Sequence, residues 1–149
     1  MIVRPNASRG MTVAELMIVV VVMGLVVGIS APYLQGLSDT HQVRGTAENI
    51  AGQMRIARAT AISSGTLQRF CLYGIDGGGY AFHVHDGTGP VKSTWILPKN
   101  VAYAWGTTLK SVDFASNGRV SAPLEVDLLG RRAERDTISV EKSGYIIVH

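Results

Sequence analysis

His83 and His85 are the residues whose types and spacing first suggest chemistry. On an extended segment, positions i and i+2 face the same way, so two imidazoles can share one metal ion if a third ligand arrives. Asp86 follows, but no third ligand stands at a recognisable spacing. An exposed strand face beside a turn is the simpler account, and no metal is expected. Cys71 is the sole cysteine, which excludes an internal disulfide and any multi-cysteine zinc or iron–sulfur site. Flanked by Phe70 and Leu72 and without a paired histidine motif, it reads as a small packing residue. Gly77-Gly78-Gly79 matches neither GxGxxG nor GxxxxGK, so no phosphate cradle is indicated, and no serine lies in a GxSxG context. Gly130-Arg131-Arg132-Ala133-Glu134-Arg135-Asp136 differs in kind. Its arginines Arg131, Arg132 and Arg135 project from a loop between two strand-like segments, a pattern suited to phosphate oxygens. Glu134 and Asp136 lower that loop to a net +1, and a solvated hairpin tip fits the same residues. Arg119, in the turn Asn117-Gly118-Arg119, joins the patch only if the fold brings them together. No catalytic constellation emerges, no cofactor is implied, and the chain does not read as an enzyme.

The elements that must carry these residues follow from composition. In 149 residues there is room for one modest domain, and 46% hydrophobic against 17% charged residues exclude a disordered polar tail. The apolar excess is concentrated: the 23 residues from Leu16 to Ser38 carry no charge. The formal net charge of +3 is concentrated too. Without the first ten residues, which hold Arg4 and Arg9 and no acid, 12 basic side chains face 11 acidic ones. Any polyanion partner must therefore be held by local clustering rather than by the overall charge.

A basic start followed by an apolar run also describes a secretory signal peptide. Here Glu15 directly precedes the run, where such signals avoid acids, and the small-residue exit Ser30-Ala31 is followed by Pro32. Leu16 to Leu37 is long enough to cross a bilayer core as a helix, with the arginines holding its amino-terminal end in the cytoplasm. An acid at the edge of such a span is costly and points to function. The string Gly10-Met11-Thr12-Val13-Ala14-Glu15-Leu16, with its apolar run interrupted at Pro32, resembles the type III signal of type IV pilins and pseudopilins. The resemblance implies cleavage by a prepilin peptidase between Gly10 and Met11, and N-methylation of Met11 by the same enzyme, where the family more often has Phe. It also implies assembly through the apolar helix, with Glu15 meeting the freed amine of a neighbouring subunit. Opposite charges in a low-dielectric setting are each costly alone and tolerable as a pair, which favours one axial register. Pro32 lacks the N–H that would bond the carbonyl of Gly28, so the helix should bend or loosen there. Gly24 and Gly28 have GxxxG spacing, a weak sign of a helix-pairing face.

Beyond the apolar run, Val43, Ala47, Ile50, Met54, Ala57 and Ala61 recur at spacings of 4, 3, 4, 3 and 4, the stripe of a helix packed on a core. Arg44, Glu48, Arg55 and Arg58 occupy the other faces. A helix unbroken from Met11 to about Ser64 would be about 80 Å long. From Leu67 the period drops to two. Strands are expected near Leu67–Gly74, Tyr80–His85, Thr94–Leu97, Val101–Trp105, Ser111–Phe114, Leu124–Leu129, Thr137–Glu141 and Tyr145–Val148. Asp76-Gly77-Gly78-Gly79 and Gly87-Thr88-Gly89-Pro90 read as turns. The fold class is α+β: one long helix, apolar first and amphipathic later, covering a small antiparallel sheet. The organisation is a leader over 1–10, an apolar helix over 11–38, an amphipathic helix over 39–65 and an antiparallel β domain over 66–149.

Met54-Arg55-Ile56-Ala57-Arg58-Ala59-Thr60-Ala61-Ile62 looks like a segment of the H-type minor pseudopilin/FimT family. So do Leu97-Pro98-Lys99-Asn100-Val101, Val112 to Val120, and Ser139 to Val148. That resemblance implies an inner-membrane, single-pass subunit with a periplasmic carboxyl-terminal domain, which helps start or cap the pseudopilus of type II secretion. Its implied partners are the prepilin peptidase/methyltransferase, other pseudopilins or pilins, and the inner membrane. The alternative is a FimT-like minor pilin that binds DNA during transformation, with Arg131, Arg132, Arg135 and Arg119 as its contacts.

Overall fold

The computed structural model describes residues 11–149 other than 88 and 92, with the side chains of residues 30–39 also outside the description. Gly10, Arg4, Arg9 and Thr88, and the side chain of Pro32, therefore lie outside the described residues. The helix α1 spans Val13–Ser64, and the helical span continues through Pro32. Its start is fixed chemically. Thr12 is the N-cap, with its hydroxyl accepting from the Glu15 N–H at 3.2 Å, while Glu15 Oε2 accepts from the Thr12 N–H at 2.9 Å. This reciprocal capping box satisfies donors that the first turn leaves without partners. At the other end Gly65 takes φ +67°, the left-handed conformation that closes a helix and that glycine adopts without steric cost.

The chain divides into two compact units, with the boundary between Leu37 and Ser38. In the first, every large apolar side chain from Met11 to Ile29 is exposed on the isolated chain, on all sides of the helix. Among the described residues no helix is long and apolar enough to cross a membrane. The apolar run of the sequence continues to Leu37, through side chains outside the description.

In the second unit the stripe behaves as its spacing requires: Val43, Ala47, Ile50, Met54, Ala57 and Ala61 are all buried. The small alanines let the helix lie close to its neighbours, and Ile50 and Met54 fill the space between. Eight strands follow: β1 Gln68–Ile75, β2 Gly79–Asp86, β3 Ser93–Ile96, β4 Val101–Tyr103, β5 Lys110–Phe114, β6 Leu124–Gly130, β7 Arg135–Val140 and β8 Ile146–Val148. Each overlaps one read from the sequence. The single sheet expected is in fact two, with strand orders β3-β2-β1-β5 and β4-β6-β7-β8, every pairing antiparallel. Strand order depends on contacts far apart in sequence, which period-two patterning does not carry.

Both sheets contribute alternate residues to one core with α1: Phe70 and Leu72, Phe82, Val112 and Phe114 from the first, Val126, Leu128, Ile138 and Val140 from the second. Tyr103 links them, its hydroxyl donating to the Ala81 carbonyl at 3.1 Å. Burial pushes the Tyr103 hydroxyl far above its usual range, so it stays a donor. The polar edge of α1 is tied down as well. Arg58 Nε donates to the Gly118 carbonyl at 2.9 Å and Arg58 Nη2 to that of Ser143 at 3.3 Å, while Arg55 reaches the Ile146 carbonyl at 3.3 Å.

Candidate functional site

Three groups carry the chemistry. The first is the start of α1, where Glu15 is exposed and its carboxylate is held by Thr12, whose hydroxyl also donates to Oε2 at 3.1 Å. The carboxylate is thus positioned on the first turn, next to Met11. Gly24 and Gly28 have open space where a Cβ would stand, so that face can accept a close neighbour.

The second is the β6–β7 hairpin. Leu129 faces Arg135 across the two strands, and Gly130 N–H donates to the Glu134 carbonyl at 2.8 Å. Arg131, Arg132 and Arg135 are all exposed. Glu134 is not a free counter-charge at the tip, because its carboxylate accepts from the Arg132 N–H at 2.9 Å and folds back over Gly130. Ala133 closes the turn with φ +66°, a conformation that costs an L-residue about 1–2 kcal/mol. The hairpin brings in a residue that the sequence did not mark as basic partner: Val101 faces Gly130, and exposed Lys99, just before β4, lines one depression with Arg131. Arg119 is not brought to the patch. Gly130 packs against Val43, whereas Gly118 packs against Ile62 and Arg58. Val43 and Ile62 are about 28 Å apart along α1, so Arg119 is exposed at the other end of the domain.

The third group lies on the face of the first sheet turned away from α1. The β1–β2 register sets Cys71 opposite His83 and Arg69 opposite His85. Cys71, His83 and His85 each offer a ligand atom within 4.8 Å of the others, and Cys71 Sγ lies 3.8 Å from His85 Nε2. The third ligand missing from the linear spacing is thus supplied across the hairpin. Its signal was present in the sequence: a turn centred on Gly77 pairs position 71 with position 83. Cys71 is buried and the imidazoles are half-buried. Burial pushes the Cys71 thiol up, partly offset by the Arg69 guanidinium. Burial and then the neighbouring His85 hold His83 below the usual imidazole value. Beside the cluster, Arg69 makes a bidentate pair with Asp113 at 2.6 and 2.7 Å.

No protein-family model matches the sequence, and no curated protein matches it. Solved structures do share its fold. The type IV minor pilin FimU of Pseudomonas aeruginosa strain PAO1 aligns with a TM-score of 0.57 at 10% identity, over 76% of this chain and 92% of FimU. A second crystal form of FimU aligns at 0.53 and 11% identity, over 71% and 91%. The minor pseudopilin EpsH from the type 2 secretion system of Vibrio cholerae aligns at 0.51 and 14% identity, over 72% and 96%. The chain therefore has the fold of the type IV pilin-like minor pilins and minor pseudopilins. A helix packed on small antiparallel sheets is the architecture they share with this chain.

Proposed function

We propose that this chain is a minor pseudopilin, a structural subunit rather than an enzyme, that helps start or cap the filament driving protein export in type II secretion. The observation that carries the reading is the helix from Val13 to Ile29, exposed and apolar on all sides. Such a helix is stable only with its surface covered, by lipid before assembly and by the helices of other pilin-like subunits after it. Prepilin peptidase cuts between Gly10 and Met11 and methylates Met11. Arg4 and Arg9 keep that end in the cytoplasm, the apolar helix anchors the chain in the inner membrane, and the β domain stands in the periplasm. On assembly Glu15 leaves its contact with Thr12 to pair with the amine of a neighbouring Met11, and Pro32 gives the helix the freedom to fit.

The test is the secreted proteome of a clean deletion strain. Specific exoproteins should stay trapped in the periplasm and return with the wild-type gene. Intact secretion would overturn the export role. The intact mass of the membrane-extracted chain should show loss of residues 1–10 and one added methyl group.

A second reading has its own observation, the exposed group Lys99, Arg131, Arg132 and Arg135. On that reading the chain is a FimT-like minor pilin that contacts DNA phosphates through this edge of the second sheet.

A further inference from the structure

The cluster on the outer face of the first sheet has no part in the filament reading and is poorly explained as packing. His83 Nδ1 and His85 Nδ1 are both buried without a hydrogen-bond partner. A buried polar atom left unsatisfied is costly, and two in adjacent rings mark imidazoles whose hydrogen bonding the packed face does not complete. The third side chain is a thiol on the neighbouring strand, itself 5% exposed.

We propose that Cys71, His83 and His85 form a binding site for one zinc-class transition-metal ion, held by a thiolate and two imidazoles, with water in the remaining position. Zinc takes Cys sulfur at about 2.3 Å and His nitrogen at about 2.0–2.1 Å, which at tetrahedral angles sets sulfur and nitrogen ligands about 3.6 Å apart. Cys71 Sγ and His85 Nε2 are already 3.8 Å apart, and one ligand atom from each of the three residues lies within 4.8 Å of the other two. Hard cations are excluded by the donors, because magnesium and calcium select oxygen ligands. The scaffold is suited to holding the geometry: all three residues lie on paired strands β1 and β2, and Tyr73 packs edge-on against His83 with ring centroids 5.1 Å apart. On binding, the thiol loses its proton to solvent and forms the metal–sulfur bond. The ion then ties the two strands together on the face that α1 does not cover.

Copper accepts the same donors, so the experiment separates the two. The full chain, purified in detergent from membranes of its own host without chelators, is measured for metal content and then stripped. Cobalt(II) is added as a spectroscopic probe. The expected result is one cobalt per chain with a thiolate-to-cobalt charge-transfer band that zinc abolishes, and that is absent in Cys71→Ser. His83→Asn should weaken cobalt binding at least tenfold. The melting temperature of the wild type should rise by about 5–10 °C when free zinc exceeds its dissociation constant about a hundredfold, and that of Cys71→Ser should not. Far-ultraviolet circular dichroism of both variants establishes that they are folded. A wild-type cobalt spectrum identical to that of Cys71→Ser, or equal affinity in all three proteins, overturns the site. Copper rather than zinc in the purified chain overturns zinc as its metal.

Discussion

At the scale of single residues, the Glu15 carboxylate caps Thr12 and, on the proposed function, also pairs with a neighbour's amine, and a substitution can separate the two. Capping Thr12 needs an acceptor, which glutamine also supplies, whereas pairing with a neighbour's amine needs the charge. Glu15→Gln should therefore keep the helix start and the proposed cut after Gly10, yet fail to cross-link with partner subunits in membranes. Assembly at the wild-type level would show that charge pairing does not set the register. Asp113 gives a pH prediction. Its hydrogen bonds with Arg69, reinforced by the guanidinium charge, hold its carboxyl below the usual carboxylate value. Between the folded and unfolded values the unfolded chain binds more protons. The stability from the pair is therefore complete above the ordinary aspartate pKa and is lost as pH falls through the lower, folded one. The urea midpoint of the wild type should fall more steeply from pH 5 to pH 3 than that of Asp113→Asn, and parallel curves would refute this. With side-chain exposures of 41% and 24%, the effect is small and weakens with salt. Neither this pair nor the Cys71 cluster follows from linear spacing, because each depends on register, and only a hairpin turn centred on Gly77 signals the cluster. Cys71 meets His83 only through one particular hairpin alignment, and Arg69 meets Asp113 through the pairing of β1 with β5.

At the scale of elements, the strongest local constraint is the turn before β8, in Ser143-Gly144-Tyr145. Gly144 is buried with φ +80°, and a Cβ there would strike the Gly118 carbonyl and come within 2.7 Å of Arg58 Nε. That carbonyl is the acceptor for Arg58, so an alanine would both strain the backbone and push apart the contact that ties α1 to the β5–β6 and β7–β8 connections. Gly144→Ala should cost at least about 2 kcal/mol, from about 1–2 kcal/mol for the left-handed conformation plus the displaced hydrogen bond. Urea unfolding measures it, and a loss under about 0.5 kcal/mol would show that the turn relaxes freely. Gly77, at φ +95° in the β1–β2 turn with open space around it, should tolerate alanine better. The elements themselves were readable because their signals are local: the period of α1 gives its buried face, and alternation gives each strand. The division into two sheets was not readable, since β4 leaves its sequence neighbours to pair with β6 and β5 returns to β1. Lys99 meets Arg131 only through the same long-range pairing of β4 with β6.

At the scale of the whole molecule, the remaining question is whether the domain offers nucleic acid one basic edge or scattered charges. With 14 basic and 11 acidic residues in all, bulk attraction is weak, so binding would depend on where the exposed cations lie. Lys99 and Arg131 line one depression at the β6–β7 hairpin end of the second sheet, with Arg132 and Arg135 on the same hairpin, whereas Arg119 follows Gly118, which packs against Ile62. Each phosphate contact contributes about 0.9 to the slope of log affinity against log salt on duplex DNA. If the edge binds, replacing Arg131, Arg132 and Arg135 together by alanine should flatten that slope by about 2–3. Lys99→Ala should remove up to about 1 more, and Arg119→Ala should leave it near the wild-type value. An equal effect from Arg119→Ala would mean diffuse attraction rather than a site. Unchanged binding in the triple variant would leave these arginines as surface charges. Combined with normal secretion in the deletion strain, a flattened slope moves the chain from export to DNA contact; combined with trapped exoproteins, an unchanged slope leaves export alone.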